Sequence, residues 1–450
     1  EGQLETERAR YVVGCDGARS SVRRSINRKL VGDSANQAWG VMDVLAVTDF
    51  PDIRFKCLVQ SAKEGNLLII PREGGYLVRI YVELDKLDEN ERKGKEDITL
   101  DQLIEATNRI FRPYKFDVKE VAWWSVYAIG HRITDKFDEV PEDTVADHIP
   151  RVFIAGDACH THSAKAGQGM NVSMGDTFNL GWKLIAVLTG RSPESLLHTY
   201  SAERKTVAQA LIDFDHRWSR LISAPPESDA DSLETTTQLQ KHFIEHGRYT
   251  AGLTVQYEPS VLTGPADWQH LATGFIIGTR FHSAPVIRLG DGKPVHLGHT
   301  VQADGRWRVY AFADASDPYA TNSPLRKLCN FLEQDSCSPL RRYTPEGDDL
   351  DSVIDFRAVF QCDHHSLEFE TMPELLKLQK GRYKLKDYEK MYCPDLKQGQ
   401  DIFDMRGVDR NAGCLLVVRP DQYVAHILPI DGYESLANFF AGFLLPRDNS

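Results

Sequence analysis

Apolar and polar positions change period several times along this chain, and each change marks an element. Short runs rich in Val, Ile and aromatic residues predict strands over Tyr11–Val13, Trp39–Val47, Cys57–Gln60, Leu67–Ile70, Tyr76–Glu83, Val121–Tyr127 and Val152–Ala155. Apolar residues recurring at three and four predict helices over Leu100–Phe111 and Val172–Leu188. Tyr200–Arg220 reads as a further helix, with Leu211, Phe214 and Trp218 on one face. The polar, proline-bearing stretch Ser223–Ser232 reads as a linker or mobile loop. Beyond about residue 270 the order is strand (Trp307–Phe312), helix (Ser323–Glu333), strand (Ser352–Phe360), strand pair (Gly413–Arg419, Tyr423–Leu428) and closing helix (Tyr433–Leu445). That order is thioredoxin-like. The expected architecture is therefore mixed α/β (α+β): a first region over 1–215, a helical or linker region over 216–270, and a thioredoxin-like domain over 271–450. No internal repeat is visible.

Length and composition narrow the class. With 450 residues, the chain has room for two or three domains. At 42% hydrophobic and 26% charged, it has the balance of a soluble globular protein. A net charge of -12, without a Lys/Arg-rich block, argues against a nucleic-acid partner. Apolar runs such as Leu67–Ile70 and Cys414–Val418 are far too short to span a bilayer. The eight cysteines form no C-x-x-C, which points to reduced thiols in a cytoplasmic compartment. Cys329 and Cys337 lack the spacing of a redox dithiol, so the thioredoxin-like domain is expected to be structural. Cys362-Asp363-His364-His365 lacks a second ligand pair at zinc spacing, and no metal site is expected. The chain opens on Glu1-Gly2-Gln3 and a strand that already needs partners, so an N-terminal portion is expected to be missing.

Two stretches carry chemistry. In Tyr11-Val12-Val13-Gly14-Cys15-Asp16-Gly17-Ala18-Arg19-Ser20-Ser21, a strand delivers Asp16 to a glycine turn. Asp16 can accept from a ribityl or ribose hydroxyl, or lock the turn through backbone N–H groups. Ser20 or Ser21 can cap the following helix, where Arg19, Arg23 and Arg24 could meet phosphate. In Arg151–His160, running on to Gly167-Gln168-Gly169-Met170-Asn171, a buried strand meets a Gly156-Asp157 turn, a glycine-bearing loop and a long helix. One carboxylate and one helix N-terminus then share a place. The first can hold sugar-like hydroxyls, and the second a developing negative charge. A flavin offers both groups.

The two motifs in this order, about 140 residues apart, resemble the flavoprotein aromatic hydroxylases, the class A monooxygenases. Trp39-Gly40-Val41-Met42-Asp43, Ile69–Glu73, Leu77–Tyr81 and Gly156–Asn171 are similar to the phenol 2-monooxygenase and 3-hydroxybenzoate 4-monooxygenase branch, and the likeness runs over nearly the whole chain. Gly32–Gln37 leans towards the 3-hydroxybenzoate side. The resemblance implies a Rossmann-like FAD-binding domain with an inserted substrate-domain sheet. It is incomplete here, because the G-x-G-x-x-G segment that carries the FAD pyrophosphate is absent. The resemblance further implies that Asp16 and Asp157 serve the cofactor. With Asp157 go Gly156, Gly167 and Asn171, and the backbone of Gly169 and Met170 lies at the flavin pyrimidine edge. The family's catalytic Asp lies upstream of this chain. Ala164 stands where the family usually has Pro, which frees a φ angle there.

Hydroxylation of a phenol asks for an ionised ring. A phenol pKa near about 10 makes ionisation at neutral pH cost about 4 kcal/mol unless the site stabilises phenolate. The protein must then supply a hydrogen-bond partner, a cation and a dry pocket, while the cofactor supplies the oxygen chemistry through a flavin C4a-hydroperoxide. Tyr81 and Arg72, on strands joined by a turn at Glu73-Gly74-Gly75, suit the first two roles. The resemblance places the Tyr at the substrate hydroxyl and the Arg by flavin and active site. Arg79 lies two residues before Tyr81 and shares its face; alternatively, Arg72 and Arg79 pair with Glu73 or Glu83. Lys56 could meet a substrate carboxylate, or simply face solvent. One aromatic of Trp123–Tyr127 is expected in the pocket wall. The expected function is FAD-dependent, NADPH- or NADH-using hydroxylation of a phenol ortho to its hydroxyl, with O2 as co-substrate and a homodimer as the assembly. The alternatives are 3-hydroxybenzoate as substrate, or an inactive fragment that acts as a binding module.

Overall fold

The computed structural model describes residues 5–33, 38–61, 64–84, 98–128, 130–163, 167–223 and 247–446, together with Lys241 and Ile244. Ser34–Gln37, Ala164 and most of Ser223–Ser232 lie outside the described residues. By their contacts the residues form two compact units. The first comprises Glu1–Pro141, Arg151–Met174 and Arg204–Thr250; the second comprises Glu142–Pro150, Gly175–Glu203 and Ala251–Ser450.

The first unit is built on β1 (Val12–Gly14), α1 (Ser21–Ser25), β2 (Val31–Asp33), β3 (Ala38–Thr48), β4 (Cys57–Ser61), β5 (Gly65–Pro71), β6 (Val78–Glu83), α2 (Leu100–Phe111), β7 (Phe116–Ala128), β8 (His131–Ile133), β9 (Val152–Ile154) and β10 (His160–Thr161). From here starts α3 (Gly169–Leu188), and α4 (His198–Ser223) follows. Five strands form one antiparallel sheet in the order β4-β5-β6-β3-β7. Strand alternation makes it two-faced. Met42, Val44, Leu67, Ile69, Val78, Ile80 and Val82 fill one face and are buried with Leu103, Ala106, Ile110 and Phe111 of α2. Helix α2 begins at a capping box: Gln102 N–H donates to the Thr99 hydroxyl, and the Gln102 side chain accepts from Thr99 N–H. Its apolar residues recur at three and four, so one stripe meets the sheet. Between β5 and β6 the chain turns through Gly74 and Gly75, at φ 79° and 85°, which only glycine adopts without strain.

In the second unit a seven-stranded sheet runs β12-β11-β17-β14-β13-β18-β19. Its strands are β11 (Pro285–Arg288), β12 (Lys293–His296), β13 (Trp307–Phe312), β14 (Ile354–Val359), β17 (Met391–Pro394), β18 (Cys414–Val418) and β19 (Val424–Leu428), while β15 (Gln379–Lys380) and β16 (Leu385–Lys386) form a small separate pair. Strands β13 and β14 are parallel, β18 is antiparallel to β13, and β19 is antiparallel to β18. With helices Pro324–Gln334 and Tyr433–Ala441, this is the thioredoxin-like arrangement. Strands β11, β12 and β17, which extend that core, escape the sequence pattern because each is four residues long.

Charge is also buried in this unit. Arg419 donates to both Glu203 oxygens at 2.7 and 2.9 Å and to Asp421 at 3.0 and 2.8 Å, and Lys183 donates to Glu203 at 2.8 Å. Burial alone would raise the Glu203 pKa, but the Arg419 and Lys183 cations overcome it and hold the carboxyl well below its ordinary range. No helix among the described residues is long and apolar enough to cross a membrane.

Candidate functional site

Strands β1 and β9 pair in parallel, Val12 with Val152, Val13 with Phe153 and Gly14 with Ile154. Both motifs therefore leave the sheet at the same end, the carboxyl end of parallel strands, where ligands of such sheets bind. Ala155 N–H donates to Gly14 O at 3.0 Å. The guanidinium of Arg23 donates to Ala158 O at 2.9 Å and Ala18 O at 2.8 Å, which ties the Asp-Gly turn to the Gly-Asp turn. Arg23 is buried in that role, and Arg24 donates to Arg19 O and the Ser21 hydroxyl. Arg23 thus serves the two turns, while exposed Arg24 keeps N–H groups beyond the two that bond the protein's own oxygens.

The two aspartates differ. Asp16 Oδ2 accepts from Ser21 N–H at 2.6 Å and Val22 N–H at 3.1 Å. Ser20's hydroxyl, with these amides, holds its carboxyl below the usual range. Asp16 thus locks the turn. Asp157 is exposed in the 3-10 turn Gly156–Ala158, and its carboxylate has no partner among the described residues. Helix α3 starts at Gly169, and its first amides have no acceptor inside the helix. The His162 ring stands so close to Gly169 that a Cβ there would lie 2.2 Å from its Cε1. Only glycine fits. An open carboxylate and a free helix N-terminus suit a polyol chain and an anionic ring edge, so these residues fit the ribityl and pyrimidine parts of FAD.

The five-stranded sheet carries the second cluster. Its face opposite α2 presents Val41, Asp43, Arg79, Tyr81, Ser125 and Trp123 by register: Asp43 faces Arg79 and Trp123, and Val41 faces Tyr81 and Ser125. Arg72 continues that alternation beyond β5, its N–H donating to Leu77 O at 2.9 Å. Arg79 grips Asp43 through two 2.6 Å hydrogen bonds and lies 5.4 Å from the Trp123 ring centre. Those bonds, against burial and with the Tyr81 hydroxyl adding to them, hold Arg79 further towards its charged form. Arg79 therefore pairs with Asp43, and neither Glu73 nor Glu83 takes that place. Glu73 instead takes Arg72, at 2.9 Å. Lys56 is exposed one residue before β4 and has no ion pair among the described residues. Asp43 was overlooked in the sequence, although a carboxylate inside an otherwise apolar strand was a visible signal. In the second unit, Asp363, His364 and His365 bring ligand atoms within 4.8 Å of one another. There Asp363 is spent on the His365 amide and ring, 2.8 Å from each.

Comparison with known proteins decides the family. Residues 1–215 match the FAD binding domain, and residues 255–448 match the phenol hydroxylase C-terminal dimerisation domain. The 3-hydroxybenzoate 4-monooxygenase of Comamonas testosteroni is 58% identical over 98% of this chain and 70% of its own length. This chain belongs to the class A flavin-dependent aromatic hydroxylases. A phenol 2-monooxygenase of Aspergillus fumigatus is 32% identical over 97% of the chain and 70% of its own length. Among solved structures, an anhydrotetracycline hydroxylase from Streptomyces rimosus superposes with a TM-score of 0.60 at 18% identity, covering 97% of this chain and 70% of that one. Aklavinone-11 hydroxylase, solved with FAD and aklavinone, gives 0.59 at 19%, covering 96% and 66%. These structures share the fold. The protein is a flavoprotein aromatic monooxygenase, and FAD is its cofactor.

Proposed function

We propose that this hydroxylase acts on 3-hydroxybenzoate or a near analogue, adding oxygen ortho to the ring hydroxyl. The expectation of plain phenol gives way here, because the 3-hydroxybenzoate relative is 58% identical and the phenol relative 32%. The observation that carries the reading is the open sheet face, which gathers a phenol, Tyr81, with cations and one carboxylate. A benzoate needs a cation that is not already neutralised. Arg79 is matched by Asp43 and Arg72 by Glu73, so we assign the substrate carboxylate to another cation, Lys56. Tyr81 hydrogen-bonds the substrate hydroxyl and so offsets part of the roughly 4 kcal/mol that ionisation costs. Arg72 orders the far end of the same face. Asp157 holds the ribityl hydroxyls, Asp16 keeps the turn beside it, and Gly156 and Gly167 shape the loops. The amides of Gly169, Met170 and Asn171 stabilise negative charge on the pyrimidine edge. Bound FAD, reduced by NADPH or NADH, supplies the electrophilic oxygen from O2. A homodimer through residues 255–448 is inferred from the dimerisation-domain match. A cytoplasmic, reducing compartment agrees with eight cysteines that lie outside any disulfide.

The test is substrate-stimulated NAD(P)H oxidation with product analysis. 3-Hydroxybenzoate should give 3,4-dihydroxybenzoate with a higher kcat/KM than phenol gives catechol, and Lys56→Met should erase that preference. A phenol kcat/KM equal to or above that of 3-hydroxybenzoate overturns the assignment.

A further inference from the structure

Behind the Gly-Asp loop lies a carboxylate that the mechanism does not use. Asp215 of α4 is fully buried and meets three groups from two other segments. It accepts from Ser163 N–H at 2.7 Å and from the Ser163 hydroxyl at 2.7 Å, and lies 2.7 Å from His131 Nε2. His131, on β8, stacks on the His216 ring with centres 3.9 Å apart. The next link is local. His162 Nδ1 lies 2.9 Å from the carbonyl oxygen of Ser163, which makes Nδ1 the protonated nitrogen and leaves Nε2 as an acceptor. Nε2 is buried and has no partner among the described residues. This is the ring that occupies the space a Cβ on Gly169 would need.

We propose that Asp215 is a positioning residue for the cofactor end of α3: its carboxylate fixes Ser163, Ser163 fixes the tautomer and place of the His162 ring, and that ring sets the place of Gly169. The role rests on the reading that Gly169 and Met170 meet the flavin. A buried carboxylate with three neighbours at 2.7 Å has little freedom, because each charge-assisted hydrogen bond is short and directional. Asn at this position keeps the shape but offers one acceptor oxygen and an amide that opposes donors. The Ser163 hydroxyl must then turn from donor to acceptor to keep its contact, and the charge assistance is lost from all three contacts.

The experiment compares the wild-type chain with Asp215→Asn. Long-range 1H–15N spectra of the flavin-free protein report the His162 tautomer, which should be Nδ1–H in the wild type and mixed in the variant. Titration by flavin fluorescence should show FAD binding at least about tenfold weaker, or about 1.4 kcal/mol. The ratio of affinities for oxidised and reduced FAD should also change, and a tenfold change moves the two-electron midpoint potential by about 30 mV. If Asn at 215 prevents folding, Ser163→Ala removes one donor and should weaken FAD binding by about threefold or more. A variant with lower thermal stability but wild-type tautomer, affinity and potential overturns the proposal, since a merely structural residue behaves that way. Wild-type chain that takes up no FAD overturns the flavin reading instead. The link from Asp215 to His162 is then decided by the tautomer alone: a mixed form in the variant upholds it, and an unchanged form overturns it.

Discussion

Asp43→Asn is the perturbation whose size the structure fixes best. Asp43 and Arg79 share two contacts of 2.6 Å. Charge centres about 4 Å apart at an effective dielectric constant of about 20 attract by about 4 kcal/mol. The Arg79 side chain is 23% exposed and that of Asp43 8%, so water still reaches part of the guanidinium. The loss should therefore fall below the roughly 3–5 kcal/mol of a fully buried pair, at about 2–3 kcal/mol. For a unit of this size that lowers the melting temperature by about 4–10 °C. The double-mutant cycle with Arg79→Gln isolates the pair: a coupling of about 2 kcal/mol is expected. The variant also frees positive charge beside Tyr81. A freed cation favours phenolate, so the apparent pKa of substrate ionisation in the kcat/KM profile should fall. Thermal unfolding and the pH profile, measured on the same four proteins, decide the matter. A coupling under about 0.5 kcal/mol would show that solvent already screens the pair, and the sheet-face electrostatics would have to be abandoned.

Other outcomes follow from the same geometry. Asp157→Ala should abolish FAD absorbance yet shift the melting temperature of the flavin-free chain little, because this carboxylate is exposed and has no hydrogen-bond partner among the described residues; retained flavin bands would contradict the ribityl role. Gly169→Ala forces a Cβ to within 2.2 Å of the His162 ring and should cost about 1–3 kcal/mol in stability with weaker FAD binding, both read by titration calorimetry and thermal unfolding. Glu203 has a folded pKa below its ordinary 4.5, so its contribution is present above about that pH and is lost as pH falls towards the folded value. Unfolding midpoints should therefore drop below pH 4.5. Glu203→Gln should remove that dependence and cost about 3–5 kcal/mol, because Lys183 loses its carboxylate and Arg419 keeps one of two.

What the sequence could show depended on whether a residue's task is local. Helix α2 was legible to the residue because its capping box, apolar stripe and terminating Pro113 all act within one segment. The two motifs were legible for the same reason, since each is a strand and its own turn. That β1 and β9 bring them side by side was carried only by the family likeness. Arg79 was found, but its partner was misplaced: Glu73 and Glu83 are near in sequence, whereas Asp43 is opposite only by sheet register. Asp215 and Arg419 were invisible, for each meets partners far along the chain. Strand β17 failed for a different reason. At four residues it is too short to show a period.

Strand β1 has one strand partner, β9, among the described residues, and Val12 and Val13 on it are 43% and 39% exposed. Such an edge is a pairing template for any other extended chain. Its consequence is colloidal. In a concentrated sample this short apolar edge offers one molecule a place to pair with another. Salt should speed that association by screening the net charge of -12, and a single lysine on the edge should slow it without disturbing either aspartate turn.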